Sequence, residues 1–239
     1  MQQGYSGSTV QRKGNLVEKV SSDQSFIQSN ERQNDLLELS RKITVLPRID
    51  HIASPTIYME FVEGQEGLTR PNAVKAGAAL RILHGQRGYP HPCMTGLNWL
   101  VELANENLAQ WNLSQRISPE VTGEYVNDAL IHSEPVQLIE KKDGSVVFID
   151  FEGIGMGSRY QDLGFIYWWA INAGQPDVYP AFIQGYQTDS VQIEQQRVKH
   201  LAGIISIAYV GFALAFAGLP EAEKRMQVGL RLLEEVSLP

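Results

Sequence analysis

Residues 136–150, VQLIEKKDGSVVFID, constrain this chain more than any other stretch. Two runs in which apolar and polar residues alternate, 136–141 and 145–150, flank Lys142, Asp143 and Gly144. A period of two puts successive side chains on opposite faces of a strand, and an Asp-Gly pair favours the positive φ angles of a tight turn. The stretch therefore predicts a β-hairpin. Antiparallel pairing brings Gln137 and Asp150, at opposite ends of the two strands, together in space. An amide oxygen and a carboxylate are both hard ligands that can share one Mg²⁺, which makes Gln137 and Asp150 candidate metal ligands. His132, Ser133 and Glu134 lie just upstream. A polar cluster beside a hairpin carboxylate is the layout that a metal-nucleotide site requires.

The rest of the chain divides around this hairpin. Residues 1–64 read as strands with one helix and residues 65–239 mostly as helices, which predicts an α+β chain with a small sheet lobe before a larger helical lobe. With 239 residues and 43% hydrophobic content, two lobes sharing a cleft can each bury a core. Residues 4–10, GYSGSTV, form a glycine-punctuated turn into a strand at 10–13, and Gly14 turns the chain back into a second strand at 16–20. The turn offers backbone N–H groups at Gly4, Ser6, Gly7 and Ser8 to a phosphate. Lys19 lies on the second strand, and Glu31 opens a helix whose Leu36, Leu39 and Ile43 share one face. Each feature alone has a plainer reading: a turn, an edge-strand lysine, a surface glutamate. Residues 56–64, TIYMEFVEG, make a β-branched and aromatic strand ending at glycine, suited to connect the lobes.

Helices follow at regular intervals. Ala73, Gly77, Leu80 and His84 recur at helical spacing, as do Leu97, Leu100, Ala104, Leu108 and Trp111. Ser118 and Pro119 read as the cap and first turn of another helix, and Pro220 opens a last one with Met226, Leu230 and Leu233 on its apolar face. Asp162 heads an aromatic helix at 163–173 as its expected N-cap, and Tyr167, Trp168 and Trp169 read as core, with a face that could stack on a cationic ligand.

A net charge of −7 without a run of Lys or Arg argues against a nucleic-acid partner and suits a cationic or neutral substrate. Cys93, the single cysteine, forms no internal disulfide, and no signal-like segment opens the chain, so a reducing cytoplasm is the expectation. Residues 201–219, LAGIISIAYVGFALAFAGL, carry no charge and approach the length of a bilayer span. Their small residues, charged approach and lack of aromatic anchors at both ends favour a helix buried in the second lobe over a membrane helix.

His132, Glu134, Gln137 and the Ile149-Asp150-Phe151-Glu152 segment resemble the catalytic loop HGDxxxxN and the IDxE segment of the aminoglycoside phosphotransferase and choline kinase group. Glu134 stands for that pattern's Asp and Gln137 for its Asn, with the spacing between them two residues shorter. The resemblance runs in order along the chain and implies a two-lobed kinase-like fold using ATP and Mg²⁺. It implies nucleotide contacts from Gly4, Ser6, Gly7 and Ser8, and a Lys19–Glu31 pair that places the lysine on the phosphates. It implies adenine reading at Glu60 and Val62, metal binding at Gln137 and Asp150, and catalysis by Glu134 with His132 beside it. Asp162 would brace the loop. The product would be a phosphorylated small-molecule alcohol; the alternative is an inactive relative that binds nucleotide or a partner.

Overall fold

The computed structural model describes residues 2–3, 8–20 and 29–236. Strands β1 (Gln2–Gln3), β2 (Thr9–Lys13) and β3 (Leu16–Val20), helix α1 (Asn30–Lys42), and strands β4 (Ile49–Ala53) and β5 (Thr56–Glu60) build the first lobe. The strands form one antiparallel sheet in the order β1-β2-β3-β5-β4. Helix α1 starts where the Ser29 hydroxyl accepts the Arg32 N–H at 3.1 Å, with Glu31 in its first turn and Arg41 and Lys42 in its last, as the helix dipole favours. Its Leu36 and Leu39 are buried with Ile49 and Ile57 of the sheet. Period-two and period-3.6 patterns thus meet in one small core.

After β5 the chain runs into β6 (Gly64–Glu66), which pairs with β8 (Leu138–Lys141), itself paired with β9 (Val146–Phe148). A Cβ on Gly64 would lie 2.1 Å from the Glu140 carbonyl oxygen, so only glycine allows this approach. The connection between lobes is thereby laced onto the hairpin predicted at 136–150. That hairpin forms, with a different turn: only Gly144 takes positive φ (82°), while Gly144 N–H donates to the Lys141 carbonyl and Lys141 N–H to the Ser145 carbonyl, both at 2.8 Å. Three residues fit a type I turn closed by one left-handed glycine better than a two-residue loop with both residues left-handed.

The second lobe adds α2 (Ala73–His84), α3 (Leu97–Gln110), a 3₁₀ turn at Pro119–Glu124 capped by Ser118, and the paired strands β7 (Ala129–Ile131) and β10 (Gly155–Gly157). Helices α4 (Arg159–Asn172), α5 (Val178–Tyr186), α6 (Gln195–Ala208), α7 (Val210–Phe216) and α8 (Leu219–Glu235) complete it. The cap of α4 is Ser158 rather than Asp162, which lies one turn further in. Helix α6 packs against α3, α4 and α8 and is buried from His200 through Ala208. Among the described residues no single helix is long and apolar enough to cross a membrane; α6 and α7 are bent by 41°. The break falls at Tyr209, where the buried Asn107 side chain donates to the Ile207 and Ala208 carbonyls at 2.9 and 3.0 Å and satisfies the end of α6.

Candidate functional site

Strand β7, buried throughout, runs directly into His132, Ser133 and Glu134. Ser133 holds φ at 78°, in the left-handed region that a residue with a Cβ seldom occupies. The Asp162 carboxylate, fully buried, keeps it there by accepting the Ser133 N–H at 2.7 Å and the His132 N–H at 2.8 Å. The same carboxylate accepts from His84 Nε2 at 2.9 Å, and His84 Nδ1 meets the Tyr186 hydroxyl at 2.7 Å. Asp162 therefore points from inside α4 into the loop, where it spends its acceptors on the loop backbone and not on a helix cap.

His132 is buried with both ring nitrogens engaged. Its Nε2 donates to the Ile149 carbonyl at 2.9 Å, and its Nδ1 accepts the Glu134 N–H at 3.3 Å. Burial lowers its pKa, so the ring is the neutral tautomer that these two bonds require. With both ring nitrogens bonded, His132 joins the loop to the hairpin.

Glu134 places one carboxylate oxygen 2.7 Å from the Tyr209 hydroxyl, which donates to it. Burial pushes the Glu134 carboxyl above the usual carboxylate range, with the Tyr209 bond pulling the other way. Tyr209 was invisible as a functional residue in the sequence, because it sits within the uncharged run at 201–219 and reads as one more apolar position.

The hairpin delivers the carboxylates. The Ile149 N–H donates to the Gln137 carbonyl at 2.9 Å, so positions 137 and 149 are opposite and Gln137 and Asp150 are neighbours across the strand ends. In a regular ladder positions 137 and 150 would face opposite sides, but Asp150 has φ of 63°, which takes it out of the alternation. Its side chain is 47% exposed and ion-paired with the Lys19 ammonium, which also lies 2.7 Å from Glu152. The side chains of Lys19 and Glu152 are 12% and 9% exposed. Burial would lower the Lys19 pKa, yet the facing Glu152 and Asp150 carboxylates outweigh it and raise it. Burial likewise opposes ionisation of Asp150, but Lys19 holds its carboxyl below the usual range. Glu152, more deeply enclosed, is pushed up by burial despite the same lysine.

The expected Lys19–Glu31 pair is not made. Glu31 is exposed on the first turn of α1, and the ammonium is turned across the cleft to the second lobe's carboxylates. Helix α1 is tied to the second lobe by other residues: Arg32 donates to the Ile154 carbonyl at 3.1 Å, and His91 Nε2 meets Asp35 at 2.8 Å. At the connection, the Glu60 N–H donates to the Arg48 carbonyl at 2.9 Å and the Phe61 N–H to the Asn15 carbonyl at 2.8 Å. Those amides are committed to the sheet, whereas the Val62 backbone has no partner among the described residues. Residues Glu60 to Glu63 and Lys141 to Asp143 line a pocket of about 390 Å³ beside it. Gly4, Ser6 and Gly7 lie outside the described residues, and Ser8 is buried just before β2. Trp168 is buried beneath the Arg225 guanidinium, 5.3 Å from its ring, and Tyr167 packs edge-on against Tyr179.

No protein-family model matches the chain, and no curated protein matches it by sequence. Solved structures do match by shape. A choline/ethanolamine kinase family protein from Mesorhizobium loti is 18% identical at a TM-score of 0.63, over 95% of this chain and 85% of its own. The gentamicin–APH(2")-IIa complex is 13% identical at 0.65, over 98% and 92%. Spectinomycin phosphotransferase APH(9)-Ia, solved with ADP and spectinomycin, is 14% identical at 0.55, over 97% and 86%.

Proposed function

We propose that this chain, which has the two-lobed kinase-like fold of the choline kinase and aminoglycoside phosphotransferase structures, is an ATP- and Mg²⁺-dependent phosphotransferase acting on a hydroxyl of a small molecule. The observation that carries this reading is the convergence of Lys19 from the first lobe with Asp150 and Glu152 from the second, beside a loop on which Asp162 fixes His132 and Ser133.

The donors present fit the ions the reaction needs. Asp150 is a half-exposed carboxylate with Gln137 adjacent across the strand ends, and Mg²⁺ takes few protein oxygens of this hard kind, leaving room for phosphate. Asp150 and Gln137 would hold Mg²⁺, which when bound neutralises phosphate charge. Lys19, released from Asp150, supplies a positive charge to the nucleotide phosphates, and Glu152 keeps it aimed into the cleft. Val62 offers the backbone groups for adenine at the connection.

Glu134 orients the acceptor hydroxyl and takes its proton. The acceptor oxygen bonds to the γ-phosphorus as the bond from that phosphorus to the β–γ bridging oxygen breaks, and the bond's electron pair leaves with ADP. The raised pKa of Glu134 suits a base that must accept a proton late and release it to water. The acidic surface suits a cationic or neutral acceptor, in keeping with the gentamicin and spectinomycin bound by the two phosphotransferase structures.

A second reading has its own observation. The Glu134-to-Gln137 spacing is short and Lys19 is locked on Asp150, which suits a protein that binds nucleotide without turning it over. Incubating the chain with ATP, Mg²⁺ and a panel of amino sugars, amino alcohols and macrolides separates the two. The phosphotransferase reading expects ADP release that depends on one acceptor class; nucleotide binding without ADP release across the panel selects the second.

A further inference from the structure

Glu134 is the proposed base, yet its position rests on little of its own loop. Pro135 follows it directly, the loop is two residues shorter than HGDxxxxN, and a glutamate side chain has one more rotatable bond than aspartate. Among the described residues one group anchors its carboxylate: the Tyr209 hydroxyl, at 2.7 Å. Tyr209 is itself held on every side. Its ring meets Phe165 at 5.7 Å, Trp168 at 5.2 Å and Phe212 at 5.4 Å between centroids, and its carbonyl accepts from Arg225 at 3.3 Å. The α6–α7 break that presents it is fixed by Asn107.

We infer that Tyr209 is a positioning residue for phosphoryl transfer: its hydroxyl pins one oxygen of Glu134 and leaves the other aimed at the acceptor. The inference rests on the reading of Glu134 as base. A break in an apolar helix otherwise has no reason to place a half-buried tyrosine hydroxyl on a loop carboxylate, and a fixed carboxylate is what a longer side chain on a shorter loop needs for in-line geometry. Tyr209 touches no reacting atom and acts through Glu134.

The test is a double-mutant cycle on the full chain, read as MgATP turnover with water or the best acceptor. Tyr209→Phe keeps the ring contacts and removes only the hydroxyl. It is expected to lower kcat roughly tenfold, the worth of one hydrogen bond to a charged group, with KM for MgATP unchanged. In a Glu134→Gln background the same change is expected to have no further effect on the residual kcat. 4-Fluorophenylalanine at position 209 fills the hydroxyl's volume without donating, so it repeats the kcat loss even if Tyr209→Phe folds poorly. An unchanged kcat in Tyr209→Phe, or the same loss in both backgrounds, overturns the inference and leaves Glu134 as base. Full turnover in Glu134→Gln, or no turnover by the unaltered chain, overturns the base reading and this inference with it.

Discussion

The Asp162 carboxylate accepts the Ser133 backbone N–H at 2.7 Å, and by doing so holds Ser133 at a φ of 78°. A buried acid on one helix thus sets the backbone of a loop 29 residues away in sequence. Asp162→Ala strands the His132 and Ser133 N–H groups and His84 in a dry site, where each unmet donor costs about 1–3 kcal/mol. The expected loss is about 3 kcal/mol or more, read as a drop in the urea midpoint at unchanged m-value, with turnover falling by at least tenfold.

Ser133 occupies the glycine position of HGDxxxxN, and its backbone conformation is one that glycine adopts freely. Ser133→Gly is expected to stabilise the folded chain by about 0.5–1 kcal/mol, since relief of a strained φ outweighs the added freedom of the unfolded chain. A denaturation midpoint equal to or below that of the unaltered chain contradicts it.

Lys19 neutralises Glu152 in a largely buried pair, so removing the lysine leaves a carboxylate without compensation. Lys19→Met is expected to destabilise by about 3 kcal/mol, and the double change with Glu152→Gln to recover most of that loss. Chemical denaturation of the four proteins of this cycle measures it; additive effects would mean that Glu152 is not the lysine's partner.

His132 is neutral when folded because burial lowers its pKa from 6.5. The unfolded chain therefore binds a proton at this site before the folded chain does, and stability is lost as pH falls below about 6.5 toward the folded value. His132→Gln keeps a donor for the Ile149 carbonyl but does not titrate. Between pH 7 and 5 its unfolding free energy should fall by less than that of the unaltered chain, as read from urea midpoints at each pH.

The hairpin, the strand lysine and the two lobes were legible because each is written in local pattern: alternation around Asp143-Gly144, β-branched runs, helical spacing. What local pattern leaves open is which charge meets which. Glu31 was the expected partner of Lys19, but tertiary placement puts Glu152 against the lysine and leaves Glu31 in solvent. Asp162 read both as a helix cap and, from the resemblance, as a brace for the loop, since caps and first-turn acids share residue types, and only the fold shows that Ser158 already caps α4 and that Asp162 holds the loop. Tyr209 stayed hidden because a tyrosine in an apolar run counts as apolar until its hydroxyl is seen on Glu134.

Asp150, released from Lys19, is proposed to take part in binding MgATP. Isothermal titration of ATP into the full chain, with and without Mg²⁺, is compared with the same titration of Asp150→Asn. Binding is expected to tighten at least tenfold with Mg²⁺ in the unaltered chain and to show no Mg²⁺ effect in Asp150→Asn. Equal Mg²⁺ enhancement in both proteins, or no ATP binding by either, rules this role out.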